Sequence, residues 1–185
     1  MPCYAAFLRG INVGRRTIKM DRLRHVLVAA GFDSVRTVLA SGNVVFEVRS
    51  GTPAAARAKL QAAIKAAFGF EVRVIVRSAK EIRALVEQGP FRTVKVTPKT
   101  RLYVTFLSKP SKSKLKLPYK ALGGDYQILE VTRGHVTSVL TLTPESGTTR
   151  AMDVLGQEFG AEITTRNWNT ITKLAKELGQ EGSCL

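Results

Sequence analysis

Apolar positions recur along this chain at two periods, and the order in which the period switches lays out its elements. Cys3-Tyr4-Ala5-Ala6-Phe7-Leu8 is an unbroken aliphatic and aromatic run that predicts a first strand, punctuated by Gly10 and Gly14. Asp21 to Ala30 carries Leu23, Val26, Leu27 and Ala30 on one helical face, with Gly31 where a C-terminal capping glycine belongs. Val35 to Ala40 and Asn43 to Val48 read as two short strands joined at Ser41-Gly42. Thr52-Pro53 supplies an N-cap and a first-turn proline for a helix that stacks Leu60, Ile64 and Phe68 and ends at Gly69. Val72 to Val76 is a fourth strand, and Ser78-Ala79-Lys80-Glu81 is a capping box that opens one more helix, stopping near Gly89-Pro90.

The order then returns. Arg101 to Leu107 predicts a strand, and Ser111 to Leu117 a short helix confined by Pro110 and Pro118. Tyr126 to Val131 and His135 to Leu142 predict a hairpin about Arg133-Gly134. Thr149 to Phe159 reads as helix, Ala161 to Thr165 as strand and Asn169 to Leu178 as helix. The expected fold is α+β: two ferredoxin-like β-α-β-β-α-β units in tandem, each followed by an extra helix. Residues 1–90 form the first unit, 91–100 a linker and 101–185 the second. Both alternating sets of the first strand, Cys3/Ala5/Phe7 and Tyr4/Ala6/Leu8, are apolar. A sheet with one wet face alternates apolar with polar, so both faces of this sheet are expected to be covered, by the other half, the extra helix or a second subunit.

This chain order places the loop after the first strand and the turn between the second and third strands at one end of the sheet. Arg9-Gly10-Ile11-Asn12-Val13-Gly14 would then lie beside Ser41-Gly42-Asn43. A glycine-rich loop entering a helix can present N–H groups to an anion, with Arg9, Asn12, Ser41 and Asn43 as side-chain donors and Arg15 and Arg16 raising the local potential. The competing reading is that the glycines shape turns and the asparagines bond their own main chain. A second cluster is Arg166-Asn167-Trp168-Asn169, holding the only tryptophan. Capping and packing explain it in one reading. In the other, Arg166, Asn167 and Asn169 donate to a ligand that stacks on Trp168.

Arg9-Gly10-Ile11-Asn12-Val13-Gly14, Ser41-Gly42-Asn43-Val44-Val45-Phe46 and Thr165-Arg166-Asn167-Trp168-Asn169-Thr170 together resemble the bacterial family called domain of unknown function 1697. The resemblance spans nearly the whole chain and implies an α+β fold with ferredoxin-like parts. It implies no activity. The lysine-rich middle and Arg15-Arg16 depart from the family pattern.

Charge narrows the function further. The formal net charge is +15, and Gln88 to Gly124 contains no acidic residue while carrying Arg92, Lys95, Lys99, Arg101, Lys109, Lys112, Lys114, Lys116 and Lys120. One sign of charge concentrated in this way favours an anionic partner, either nucleic acid or a phosphorylated small molecule. Lys109, Lys112, Lys114 and Lys116 are its candidate contacts. The solvated alternative is a lysine-bearing edge that discourages aggregation. With 44% hydrophobic residues the chain can bury a core, so this is no disordered basic tail.

Dedicated chemistry is sparse. The two histidines, His25 and His135, fall in different predicted units, and the two cysteines sit at opposite ends of the chain, so neither a metal site, a cofactor nor a disulfide framework is expected. No nucleophile elbow or paired carboxylates at helical spacing pick out catalytic residues. The absence of a signal segment or a long apolar span points to a cytoplasmic protein that does not enter membranes. Three functions stay open: a binding module for an anion, an enzyme acting on a nucleotide-like or phosphorylated ligand, and a structural or oligomerising protein. The sequence leaves monomer and homodimer equally open.

Overall fold

The computed structural model describes residues 1–12, 17–144 and 148–179, without the side chains of Thr149 and Arg150. The protein is mixed α+β, with five helices and two antiparallel sheets among the described residues. It divides into two units: Met1–Glu87 together with the segment from Thr170 onward, and Gln88–Asn169. The last helix therefore groups with the first unit, whereas the sequence suggested 101–185 as one body.

The first unit runs β1 (Cys3–Arg9), α1 (Met20–Ala29), β2 (Asp33–Val38), β3 (Asn43–Glu47), α2 (Pro53–Phe68), β4 (Arg73–Ser78) and α3 (Ala79–Gln88). Its strands pair in the order β2-β3-β1-β4. Local chemistry sets the helix ends. Thr52 Oγ1 accepts from Ala55 N at 3.2 Å, and Gly69 closes α2 with φ 77°. At the start of α3, Ser78 Oγ accepts from Glu81 N at 3.2 Å while Glu81 Oε2 accepts from Ser78 N at 2.8 Å, the reciprocal capping box read from sequence.

Both faces of this sheet are buried, as the double apolar alternation required. On one, Tyr4, Ala6, Leu8, Phe46 and Val76 pack with Leu23 and Leu27 of α1 and Leu60 and Ile64 of α2. On the other lie Cys3, Ala5, Phe7, Val45 and Ile75, also buried. Each ring or branched side chain so enclosed stabilises the fold by roughly 1.5–3 kcal/mol. Two arginines tie the cover of this second face. Arg36 occupies the register position of Val45, and its Nη2 donates to Glu177 O at 2.8 Å at the end of α5 (Trp168–Glu177). Arg83 of α3 donates to Leu178 O at 3.2 Å. The extra helix and the last helix thus lie on this side, bringing buried Ile82, Leu85, Ile171 and Leu174.

The second unit contains β5 (Thr100–Leu107), β6 (Tyr119–Lys120), β7 (Tyr126–Val131), β8 (His135–Thr141), α4 (Thr148–Phe159) and β9 (Ile163–Asn167). Its sheet order is β6-β7-β8-β5-β9. Tyr103, Leu107, Tyr126, Ile128, Val136 and Leu140 pack under Ala151 and Leu155 of α4.

The short helix expected over Ser111–Leu117 does not form, which corrects the second β-α-β-β-α-β unit. The segment instead alternates: Ser111, Ser113 and Leu115 are half-buried while Lys112, Lys114 and Lys116 are exposed. A period of two means extended backbone, and prolines at 110 and 118 leave too little room for a helix that buries one face. Leu115 and Tyr119 pack against the core of this unit, Ser111 N donates to Arg133 O at 3.3 Å, and Ser113 Oγ donates to the Glu158 carboxylate. The segment is a strap in the place of a helix.

Candidate anion-binding surfaces

The loop after β1 and the turn between β2 and β3 do meet. Leu8 N donates to Gly42 O at 2.8 Å. Gly42 has φ 75°, and a Cβ built there would fall 2.7 Å from Ile11 Cδ1, so Ile11 packs directly over the turn and excludes any larger residue. The asparagines hold this contact, Asn12 from an exposed position and Asn43 from a buried one. Asn12 Nδ2 donates to Ala40 O at 2.7 Å, and Asn12 Oδ1 accepts from Ile18 N at 2.8 Å. Asn43, fully buried, donates through Nδ2 to Val38 O and to Ser41 Oγ, both at 2.9 Å. Their amides face the main chain, not an open cleft, while Ser41 keeps an exposed position. Arg15 and Arg16 lie outside the described residues.

Arg9 is exposed at the end of β1, and its register partner on β4 is Arg73. Together with Gly10 and Glu71 these two arginines line a cleft of about 360 Å³. Glu71 Oε1 is 2.7 Å from Lys65 Nζ. That contact lowers the carboxyl and raises the ammonium, each through the hydrogen bond first and the charge attraction second. Sequence reading missed Arg73 and Glu71, because their proximity to Arg9 depends on strand register.

In the second unit, Arg166 turns back on its own strand. Its Nη1 donates to Thr164 Oγ1 at 2.8 Å and to Thr165 O at 2.9 Å. Burial pushes its guanidinium down to about 10, so it stays cationic at neutral pH. Trp168 is half-buried and meets Phe91 edge to face, with ring centroids 5.2 Å apart, while Asn167 and Asn169 are exposed.

The strap carries the basic surface. Lys109 Nζ pairs with Glu162 Oε2 at 3.2 Å, and Ser108 Oγ donates to the same oxygen at 3.2 Å. Lys112, Lys114 and Lys116 point outward, and among the described residues no carboxylate pairs with them. Between the strap and the corner from α4 to β9 runs a cleft of about 560 Å³, lined by Ser108, Ser111, Lys112, Lys114, Glu158 and Phe159 among others. Among the described residues there is no group of three His, Cys, Asp or Glu placed to hold a metal, and no helix long and apolar enough to cross a membrane.

These features define a mixed α+β protein with two antiparallel sheets and two basic clefts among its described residues. The model of the family described as "Protein of unknown function (DUF1697)" matches residues 1–136, and the chain belongs to that family. A conserved bacterial protein from Streptococcus pneumoniae, SP0830, has a similar solved structure, with a TM-score of 0.74 over 97% of this chain and 99% of that one at 23% sequence identity. That likeness speaks to the fold. No curated protein matches the chain.

Proposed function

We propose that this protein is a binding module for an anionic partner, and that the strap is its contact surface for an extended polyanion such as single-stranded nucleic acid. The observation that carries the reading is the outward row Lys112, Lys114, Lys116 on an extended segment fastened from its other side by Ser111, Ser113 and Leu115. Alternate residues of extended backbone lie about 6.6 Å apart, so the ammonium groups form a regular ladder that suits a chain of repeating phosphates. The strap is fastened before any partner arrives, which lowers the ordering cost of binding. Lys109 is committed to Glu162 and contributes mainly by anchoring the row.

The strand order supports reading both units as ferredoxin-like modules. In each, the second, third, first and fourth strands lie side by side, with β6 added at one edge of the second sheet. The second module uses the strap where the first uses α1. Catalysis on a nucleotide-like ligand at the Ile11 loop gains no support from Asn12 or Asn43, whose amides are spent on the main chain. The test is anisotropy of a labelled single-stranded oligonucleotide at low ionic strength. The Lys112→Gln/Lys114→Gln/Lys116→Gln variant should bind at least about tenfold more weakly than wild type. Equal affinity of the two would end the reading.

A further inference from the structure

The cleft beside the strap has two walls of opposite chemistry. One is the strap itself, where Lys112 and Lys114 stand exposed and no carboxylate among the described residues pairs with them. The other is the C-terminal end of α4 and the turn into β9, which bring Glu158, Phe159 and Glu162. Gly160 makes that turn at φ 78°, its N–H returning to Gly156 O at 3.0 Å, and no atom lies within 4 Å of where its Cβ would stand. This wall offers acceptors and open space, and the negative end of the helix dipole adds to its character. Glu162 is engaged by Lys109 and Ser108 through Oε2 and holds the strap to the corner. Glu158 is the acceptor that remains: it is exposed, Oε1 takes the Ser113 hydroxyl, and among the described residues Oε2 takes no hydrogen bond. Phe159 is half-buried, packed against the core of the unit and lining the cleft.

We propose that this cleft seats a guanine base of the strand that the strap carries, an inference that rests on the reading of the strap as a nucleic-acid surface. A carboxylate only accepts, and its two oxygens suit a partner with two adjacent N–H donors. Guanine has that edge, with its ring N1–H beside its exocyclic amino group. Uracil and thymine offer one N–H between two carbonyls, and adenine and cytosine set a bare ring nitrogen beside their amino group. A base whose edge reaches Glu158 can lay its face on Phe159, the neighbouring residue. The cleft, at about 560 Å³, falls within the range of about 300–1,000 Å³ usual for small-ligand sites. The phosphate of the same nucleotide then meets Lys112 and Lys114 on the opposite wall, so the lysines hold the strand while Glu158 selects the base.

The experiment is displacement of a labelled oligothymidylate by the 5′-monophosphates of guanosine, inosine and uridine, followed by anisotropy at constant ionic strength. The three competitors carry the same phosphate, so differences between them report the base alone. Guanosine monophosphate should displace the label from wild type at roughly one tenth the concentration that uridine monophosphate requires. Inosine monophosphate, which keeps N1–H but lacks the amino group, should fall between them. Glu158→Gln turns an acceptor into a donor and should bring the guanine nucleotide to the level of the uridine one. That variant also removes a negative charge near the lysines, so the ratio between competitors is the readout, which a general rise in anion affinity does not move. Phe159→Leu keeps an apolar side chain on the core and should weaken all three competitors together. Equal displacement by all three nucleotides, an undiminished guanine preference in Glu158→Gln, or unchanged displacement in Phe159→Leu would each overturn the proposal. If oligothymidylate binds wild type while the nucleotides do not differ, the base seat falls and the strap stands; if oligothymidylate does not bind, both fall.

Discussion

Asn12 Nδ2 lies 2.7 Å from the carbonyl oxygen of Ala40, 28 residues further along the chain, and this one bond joins the loop after β1 to the turn between β2 and β3. Its Oδ1 holds Ile18 N at 2.8 Å on the other side. A short amide side chain at φ 55° is well suited to the position, since Asn tolerates the left-handed region better than other side chains. The residue therefore positions the loop that follows Arg9.

Asn12→Ala removes both bonds and leaves the partly buried Ile18 N–H without its acceptor. A loss of about 1–3 kcal/mol in unfolding free energy is expected, read from urea unfolding with an unchanged m-value. Wild-type stability in this variant would show that the clamp is incidental.

Gly42 is the other half of the same junction. Gly42→Ala forces a Cβ to within 2.7 Å of Ile11 Cδ1 and places a side chain at φ 75°, for an expected cost of about 2–4 kcal/mol. In the Ile11→Ala background most of the steric part of that cost should vanish, leaving the backbone part and the 3.1 Å approach to Leu8 Cβ. A double-mutant cycle with no coupling would contradict the packing described.

Much of this architecture is legible in the sequence, and the parts that are not share a physical reason. Caps and turns read well because their chemistry is local: Thr52-Pro53, Ser78 with Glu81, and Arg133-Gly134 each fall where they act. The meeting of Ile11 with Gly42 follows from element order. Register is another matter. Nothing local says that Arg9 faces Arg73 and not its neighbour, because a slip of one residue would leave the same composition on the other face. The strap is a case of two signals in conflict. Element order called for a helix over Ser111–Leu117, but the alternation of Lys112, Lys114 and Lys116 with Ser113, Leu115 and Leu117 already had the period of an extended chain. The last helix joined the first unit for a tertiary reason, the hold of Arg36 on Glu177, that the sequence does not display.

Tyr126 supplies a pH signature. Its ring is fully buried under α4, and burial pushes the phenol up to about 12, with the nearby Ser138 hydroxyl opposing the rise only in part. Tyr126 Oη and Ser138 Oγ are both enclosed without a well-formed hydrogen bond among the described residues, which is consistent with that weak opposition. A folded-state value above the unfolded one means that the neutral phenol is favoured in the fold. The associated stability is intact below pH 10 and is lost as pH rises from 10 to about 12, up to roughly 2–3 kcal/mol. Arg166, whose folded value is depressed, contributes in the opposite sense over the same alkaline range, so the comparison must be made against Tyr126→Phe, in which Arg166 is unchanged. The gap in stability between wild type and Tyr126→Phe should shift against wild type across that window, and phenolate absorbance should lose its latest-titrating component in the variant. A gap that is flat with pH would refute the assignment.

The central claim is that the strap meets its partner through the charges of Lys112, Lys114 and Lys116, and the measurement that tests it most directly is the salt dependence of oligonucleotide affinity. For wild type, log Kobs should fall linearly with log salt. The triple Lys→Gln variant should show a slope shallower by about 2, the sum of three lost phosphate contacts on a single strand. Because the three side chains are exposed, both proteins should unfold alike. The same slope in both proteins, or no binding by wild type at low salt, would contradict the account.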